Sequence, residues 1–107
     1  MTESQIRVAM ISSSNQPNVQ LRLPSALRPH TGGVTQLDVQ ATSVEQALHA
    51  LEQRLPSLVP LLRDQTGALR PRVNIYVNDE HVRYRQGLKT PLQEGDTVYV
   101  TPIIAGG

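Results

Sequence analysis

Apolar and polar residues alternate along several short stretches of the chain, which is the period-two pattern of strands that bury one face. Residues 19–23 and 34–40 form two such stretches, joined by a connection, residues 24–33, that ends in two glycines. This arrangement predicts a β-hairpin with a loop over residues 24–33. The clearest alternation covers residues 72–78, where three aliphatic side chains fall on one face: Val73, Ile75 and Val77.

A helical period replaces the alternation after residue 43. Apolar side chains recur there at i, i+3, i+4 and i+7, the spacing of a helix packed on a sheet; they are Val44, Ala47, Leu48, Leu51 and Leu55. Thr42 is the expected N-cap, since Glu45 follows three residues later as in a capping box. Pro56 is expected to end the helix, and polar positions such as Glu52 are expected to face water.

The rest of the chain predicts three shorter elements. Residues 57–63 favour a short helical segment, and residues 81–85 favour a short polar strand at an edge. A last strand covers residues 97–101, because Pro102 lacks a backbone donor and is expected to stop the pairing. The order β-β-α-β-β-β predicts an α+β fold in which one main helix covers a mixed sheet, the β-grasp arrangement of ubiquitin-like domains.

The residues after Pro102 form an uncharged tail whose side chains become steadily smaller: Ile103, Ile104, Ala105, Gly106 and Gly107. Extended from Pro102, this tail would span roughly 20 Å, and its glycines would let a partner's backbone close around it. We therefore expect the tail to enter a channel in another protein and to present the carboxylate of Gly107 there. The alternative is a frayed terminus without a function.

The carboxylate of Gly107 is unreactive toward nucleophiles unless it is first activated. With a reference pKa of about 3.5, a terminal carboxyl group is an anion at neutral pH and a poor electrophile. A reaction at the carbonyl carbon of Gly107 therefore needs prior activation, most simply by adenylation.

Composition narrows the class of protein. The 107 residues suit one domain, which we divide into a flexible N-terminal extension (1–18), a β-grasp domain (19–101) and the tail (102–107). Phe, Trp and Cys are absent, so the core must be aliphatic and no disulfide or thiolate is available. A net charge of +1 without a run of Lys or Arg argues against nucleic-acid or membrane binding. No long apolar segment or signal-peptide pattern occurs, so we expect a cytoplasmic protein.

Side chains outside the tail offer further candidates for partner contact. Tyr76 and Tyr99 fall on the polar face of the predicted sheet, where they either contact a partner, as tyrosines often do, or pair with each other. Arg83 is a third candidate, although charges on edge strands also guard against aggregation. No catalytic triad or phosphate-binding loop is present, so we expect no enzyme activity. We also expect no metal site, because the histidines are widely spaced: His30, His49 and His81.

Three segments together carry a resemblance to a known family: residues 27–33, residues 73–83, and the turn at Gly95 and Asp96 running to Gly107. Over residues 19–107 the sequence resembles the ubiquitin-like sulfur carriers, the family of the molybdopterin synthase small subunit and the thiamine sulfur carrier. Within it, the chain is most similar to the actinobacterial sulfur carriers of cysteine biosynthesis. Residues 1–18 have no counterpart in the minimal family pattern.

The resemblance implies a cycle of reactions at Gly107. An adenylyltransferase of the ubiquitin-activating type, using ATP and Mg²⁺, would adenylate the carboxylate, and a sulfurtransferase domain would convert it to a thiocarboxylate. A pyridoxal-phosphate (PLP) enzyme of the cysteine synthase type would accept the sulfur, and a zinc metallopeptidase would release the cysteine formed. This chain itself would bind no cofactor.

Three alternatives remain open from the sequence. The carrier would instead supply sulfur for molybdopterin, thiamine or a sulfur-containing natural product. The same carboxylate would join the chain to lysines of other proteins, as in ubiquitin-like modifiers. Finally, an inert β-grasp adaptor would use only its sheet surface.

Overall fold

The computed structural model describes residues 16–102. Five strands form one mixed sheet in the order β2-β1-β5-β3-β4. Only the β1–β5 pairing is parallel, whereas β1–β2, β3–β5 and β3–β4 are antiparallel. The strands are β1 (Asn18–Arg22), β2 (Gln36–Gln40), β3 (Val73–Val77), β4 (Glu80–His81) and β5 (Thr97–Pro102). The predicted α+β architecture and the β1–β2 hairpin are confirmed.

The main helix packs against the sheet through its predicted apolar stripe. The helices are α1 (Arg28–Thr31), α2 (Val44–Arg54) and α3 (Val59–Leu62). α2 lies on β1 and β2 and buries four residues there: Val44, Ala47, Leu48 and Leu51. The inward faces of the strands and two leucines after α2, Leu58 and Leu62, complete one aliphatic core. The expected aliphatic core is therefore confirmed.

The N-cap of α2 is Ser43, not Thr42 as the sequence predicted. Ser43 has extended backbone angles, and its hydroxyl accepts a hydrogen bond from the Gln46 N–H at 3.2 Å. The side chain of Gln46 in turn accepts from the Thr42 N–H at 2.8 Å. A capping pair is present, but it is shifted by one residue because Gln46 replaces Glu45 as the returning side chain.

The connection after β1 contains regular structure where a loop was predicted. A 3₁₀ turn covers Ser25–Leu27, and α1 follows it directly. Pro29 lies in the first turn of α1, where its missing N–H costs nothing. Gly32, with φ of 66°, caps the other end in the left-handed conformation that glycine adopts readily. The connection was predicted as a loop throughout, so the short helix before Gly32 was missed.

Glu52 is another correction, because it does not face water. Its carboxylate accepts two hydrogen bonds from the Arg63 guanidinium, from Nε at 2.7 Å and from a terminal nitrogen at 3.2 Å. The side chains are only 12% and 16% exposed, respectively. This ion pair raises the pKa of Arg63 through the hydrogen bond to Glu52, and it ties α2 to the segment that follows α3.

The edge strand is shorter than predicted. β4 has only two residues, and a 3₁₀ turn over Val82–Tyr84 replaces the rest of the expected strand. Val82 is buried in the core, and the chain turns inward to place it there.

Pairing continues through Pro102 instead of stopping before it, with Val73 as its partner on β3. The Asn78 N–H donates to the Thr97 carbonyl at 3.0 Å, so Thr97, Tyr99 and Thr101 direct their backbone groups toward β3. Pro102 therefore directs its nitrogen to the other side, where the pairing with β1 already ends at Arg22. The missing N–H of Pro102 costs no ladder bond.

Candidate functional site

The tail follows directly in sequence on the central strand of the sheet. β5 lies between β1 and β3, and its last residue, Pro102, is buried. The hydroxyl of Thr101 donates to the Asn74 carbonyl of β3 at 3.2 Å, which adds a side-chain contact to the backbone pairing. Backbone pairing and this side-chain hydrogen bond therefore fix the position of β5 up to Pro102, where the tail begins. The predicted tail residues, Ile103, Ile104, Ala105, Gly106 and Gly107, lie outside the described residues.

One row of side chains crosses the whole outer face of the sheet, opposite α2. Register pairs place its members side by side on successive strands: Gln36, Arg22, Tyr99, Tyr76 and His81. Both predicted tyrosines are therefore at the centre of this outer row. The rings of Tyr76 and Tyr99 have centroids 6.5 Å apart and are tilted by 38°. The two tyrosines do pair, as one interpretation expected, and their contact with a partner stays a prediction.

The tyrosines lie on the floor of an open groove of about 840 Å³ on the outer face. Thr97 and Thr101 extend this floor along β5, while Arg22 and Pro24 line the side toward β1. Asn78 and Asp79 line the groove near the start of β5. The groove therefore follows β5 toward the start of the tail.

Arg83 and Tyr84 extend the outer row beyond the edge strand. The Arg83 guanidinium carbon lies 5.9 Å from the centre of the Tyr84 ring, a cation–π distance. Tyr84 is 73% exposed and its ring centroid is 6.4 Å from that of His81. Sequence analysis missed Tyr84, because the predicted strand gave it no distinctive position. Its exposure became evident only when the 3₁₀ turn replaced that strand.

His81 is held in one tautomer. Its Nδ1 accepts a hydrogen bond from the Arg83 N–H at 3.0 Å, and its Nε2 lies 3.0 Å from the Asn74 side-chain oxygen. Nε2 therefore carries the proton and donates to Asn74. Partial burial, and secondarily the charge of Arg83, lower the pKa of His81. Protonation of Nδ1 would also break the hydrogen bond that the Arg83 N–H donates to it.

The lowered pKa of His81 predicts loss of stability at acidic pH. The unfolded chain binds the proton at a pH of about 6.5, above the folded value, so the unfolded state is favoured increasingly as the pH falls from there through the folded pKa. We expect urea midpoints to fall between pH 7 and pH 5, and His81→Gln to flatten this dependence. His49→Gln, on the exposed face of α2, is the control and should keep the wild-type profile. Equal profiles for wild type and His81→Gln would contradict the assignment.

The other titratable groups do not assemble into a metal centre in residues 16–102, which contain no group of three or more His, Cys, Asp or Glu side chains placed to hold an ion. His30 and His49 are both exposed and lie on different helices. In the same range, no helix has the length and apolar character needed to cross a membrane.

A mixed β-grasp sheet of this strand order, with a single main helix packed on it, defines a ubiquitin-like fold. The ThiS family profile matches residues 21–107, which includes the whole tail. The chain therefore belongs to the ThiS family.

Individual relatives agree with this assignment. The sulfur carrier protein CysO of Mycobacterium tuberculosis is 39% identical over 92 residues, covering 84% of this chain and 99% of the relative. Small archaeal modifier protein 3 of Haloferax volcanii is 37% identical over 71 residues, covering 66% and 75%, respectively. A crystal structure of the Amycolatopsis orientalis BexX/CysO complex contains a chain that is 34% identical with a TM-score of 0.70, covering 83% of this chain and 99% of that one. The ubiquitin-like β-grasp fold predicted from the sequence is confirmed.

Proposed function

We propose that this protein is a sulfur carrier whose Gly107 carboxylate is adenylated and then converted to a thiocarboxylate. The observation that carries the proposal is the match of the ThiS family through residue 107, joined to a fold that anchors the chain up to Pro102. A rigid body that ends in an uncharged tail suits a protein that is handled by other enzymes.

The proposed loading has three steps. The Gly107 carboxylate attacks the α-phosphate of ATP, with Mg²⁺ on the activating enzyme, and pyrophosphate leaves. A persulfide on a sulfurtransferase domain then attacks the acyl carbon and displaces AMP, so that a C–S bond replaces one C–O bond. A thiol of that domain then cleaves the S–S bond of the acyl disulfide, which releases the thiocarboxylate and leaves a disulfide on the domain. The resulting thiocarboxylate is a polarisable anion at neutral pH and therefore a good nucleophile. All catalytic groups and cofactors belong to the partner enzymes. Because loading consumes ATP, we propose that it occurs in the cytoplasm.

Binding through the tail is expected to be reversible. Burying one isoleucine such as Ile103 or Ile104 stabilises a complex by about 2 kcal/mol, which is less than the roughly 4–15 kcal/mol that association costs in translational and rotational freedom. A carrier that must leave one enzyme and reach the next benefits from such weak binding. Because Ala105 and Gly106 are small, they would let the tail enter a narrow channel and would add little to the binding free energy.

Cysteine biosynthesis is the destination that the similarity to CysO supports. In that case a PLP enzyme of the cysteine synthase type presents an aminoacrylate, to which the thiocarboxylate sulfur adds. Acyl migration from sulfur to nitrogen joins the new cysteine to Gly107 through a peptide bond, and a zinc metallopeptidase hydrolyses that bond. The BexX/CysO complex shows a similar protein bound to another protein, which supports binding of this chain to a partner protein.

The alternative function is conjugation to lysines, and the similarity to small archaeal modifier protein 3 favours it. Adenylation is shared by both functions, and only the nucleophile that follows differs. A modifier would end in an isopeptide bond to another protein, whereas a carrier returns to a free chain.

Intact-mass analysis tests the proposal. The purified chain is incubated with ATP, Mg²⁺, a ubiquitin-activating-like adenylyltransferase and a sulfur donor. We expect a product in which one oxygen is exchanged for sulfur, located by fragmentation at Gly107. Conjugates to other proteins with no exchanged species would instead establish the modifier function, and an unchanged mass with active enzyme would reject both.

A further inference from the structure

Two groups of exposed or half-buried charged residues, of opposite sign, lie at the two ends of β5. At the end where the tail begins lie four arginines, which we call the tail-end arginines: Arg22, Arg28, Arg70 and Arg72. At the opposite end lie four acidic residues, two in the β3–β4 turn and two before β5: Asp79, Glu80, Glu94 and Asp96. The register fixes this arrangement, because β1 runs parallel to β5 and β3 runs antiparallel to it.

Each tail-end arginine is placed by an element that meets the end of β5. Arg22 is the last residue of β1 and pairs with Tyr99, and Arg72 directly precedes Val73, the partner of Pro102. Arg28 begins α1 in the connection that leaves the same end of β1. The Arg70 Nε donates to the Pro60 carbonyl at 2.9 Å. All four side chains are exposed.

Two arginines, Arg63 and Arg85, already have acidic partners, and the tail-end arginines differ from these two. Among residues 16–102, the ion pairs within 4.0 Å are Arg63 with Glu52 and Arg85 with Glu80, so none involves a tail-end arginine. The pKa of Asp64 is lowered mainly by hydrogen bonds from Thr66, and the charge of Arg70 contributes least. Its carboxylate is already engaged by the hydroxyl and N–H of Thr66, at 2.6 and 2.8 Å.

The acidic residues at the opposite end serve the fold instead. Glu94 accepts a hydrogen bond from the Asn18 N–H at 2.9 Å. Asp96 accepts from the Asn78 amide at 2.7 Å and from the Gln93 N–H at 2.8 Å. These carboxylates therefore hold the strand ends together, whereas no tail-end arginine is in an ion pair within the described residues.

We propose that the tail-end arginines dock against an acidic rim around the channel that receives the tail in a partner enzyme. This inference rests on the proposed function and adds the chemistry of the partner surface. The tail has no charged side chain, so the arginines around its base are what can select and orient a partner electrostatically. The two ends of β5 differ in charge, so the electric field of an acidic partner surface would orient the domain with the tail toward the channel. This orientation raises the rate constant of association.

Charge reversal provides the test, with the adenylyltransferase that loads the wild-type chain as the partner. Arg72→Glu and the double variant Arg22→Glu/Arg72→Glu are compared with Lys89→Glu, an exposed position in a 3₁₀ turn packed near α2. Arg72→Glu and Lys89→Glu change the net charge equally. We expect the double variant to lower kcat/KM for adenylation by about tenfold or more, mainly through KM, and to weaken its dependence on salt. Lys89→Glu should remain within about twofold of wild type.

Equal effects of Arg72→Glu and Lys89→Glu, or a salt dependence that survives in the double variant, would overturn the inference. Circular dichroism and thermal midpoints identify any variant that fails to fold. If a charge-reversal variant does not fold, Arg22→Gln/Arg72→Gln is measured in its place. Concentration-dependent self-association that the arginine variants abolish would show that the acidic end of a second copy is the occupant, and would also overturn it.

A second measurement separates this inference from the proposed function. The isotope-labelled full chain is titrated with poly-L-glutamate at low salt, and amide shifts are followed by NMR. Shifts concentrated at the tail-end arginines, with little change at Arg54, Arg83 and Lys89, support an acid-binding surface even if no enzyme loads Gly107. Shifts spread evenly over all exposed cations reject that surface even if loading occurs.

Discussion

Removal of Gly107 is expected to abolish sulfur loading while leaving the domain folded. The carboxylate would then belong to Gly106 and would lie one residue, about 3.3 Å, short of its position in the activating enzyme. A misplacement of about 1 Å can lower a rate by about 10²-fold, so we expect a loss of at least that size. ATP–pyrophosphate exchange measures the adenylation step directly.

Gly107→Ala is the matched control for the length of the tail. It keeps the carboxylate at the same distance and adds only a Cβ, so it separates the length of the tail from the width of the channel. Adenylation of the chain lacking Gly107 at the wild-type rate would contradict the proposed site. An adaptor that acts only through its sheet would keep its binding in both variants.

Leu51→Ala is expected to cause a large loss of stability in the domain. Leu51 is fully buried in the middle of α2 and belongs to the single aliphatic core. Truncating such a leucine removes apolar contact and leaves a cavity, with a typical cost of about 2–5 kcal/mol. For a domain of this size, we expect the thermal midpoint to fall by at least about 10 °C, as measured by calorimetry or circular dichroism.

The control for this prediction is Gln53→Ala on the exposed face of the same helix. Alanine has a higher helix propensity than glutamine, and no buried contact is lost, so the midpoint should change little. If both variants had the same midpoint, α2 would not be packed on the sheet as described.

The strands and the main helix were predictable because each buries one face, and burial imposes a period on the sequence. The alternation around Ile75 and the stripe containing Leu48 therefore located β3 and α2 correctly. Their partners were not predictable in the same way. The parallel pairing of Gln20 with Thr97 joins residues far apart in the chain, and periodicity within a segment holds no information about its neighbours.

The errors arose where a local signal competes with a tertiary contact. Glu52 was assigned to solvent because its helical position is polar, but Arg63 approaches it from a later segment. α1 was missed because proline and glycine ordinarily indicate a loop, whereas here they begin and cap one short helix. Of the candidate site, Tyr76 and Tyr99 could be placed on one face by alternation, but their position in a row with Arg22 and His81 required the register.

The central position of β5 has a consequence for damaged molecules. Without β5, the sheet would separate into a β1–β2 hairpin and a β3–β4 hairpin, and isolated hairpins are marginally stable in water. A polypeptide cleaved or interrupted before Thr97 would therefore unfold and become a substrate for proteolysis. Molecules interrupted before Thr97 would therefore not persist as folded copies that lack the strand leading to the tail.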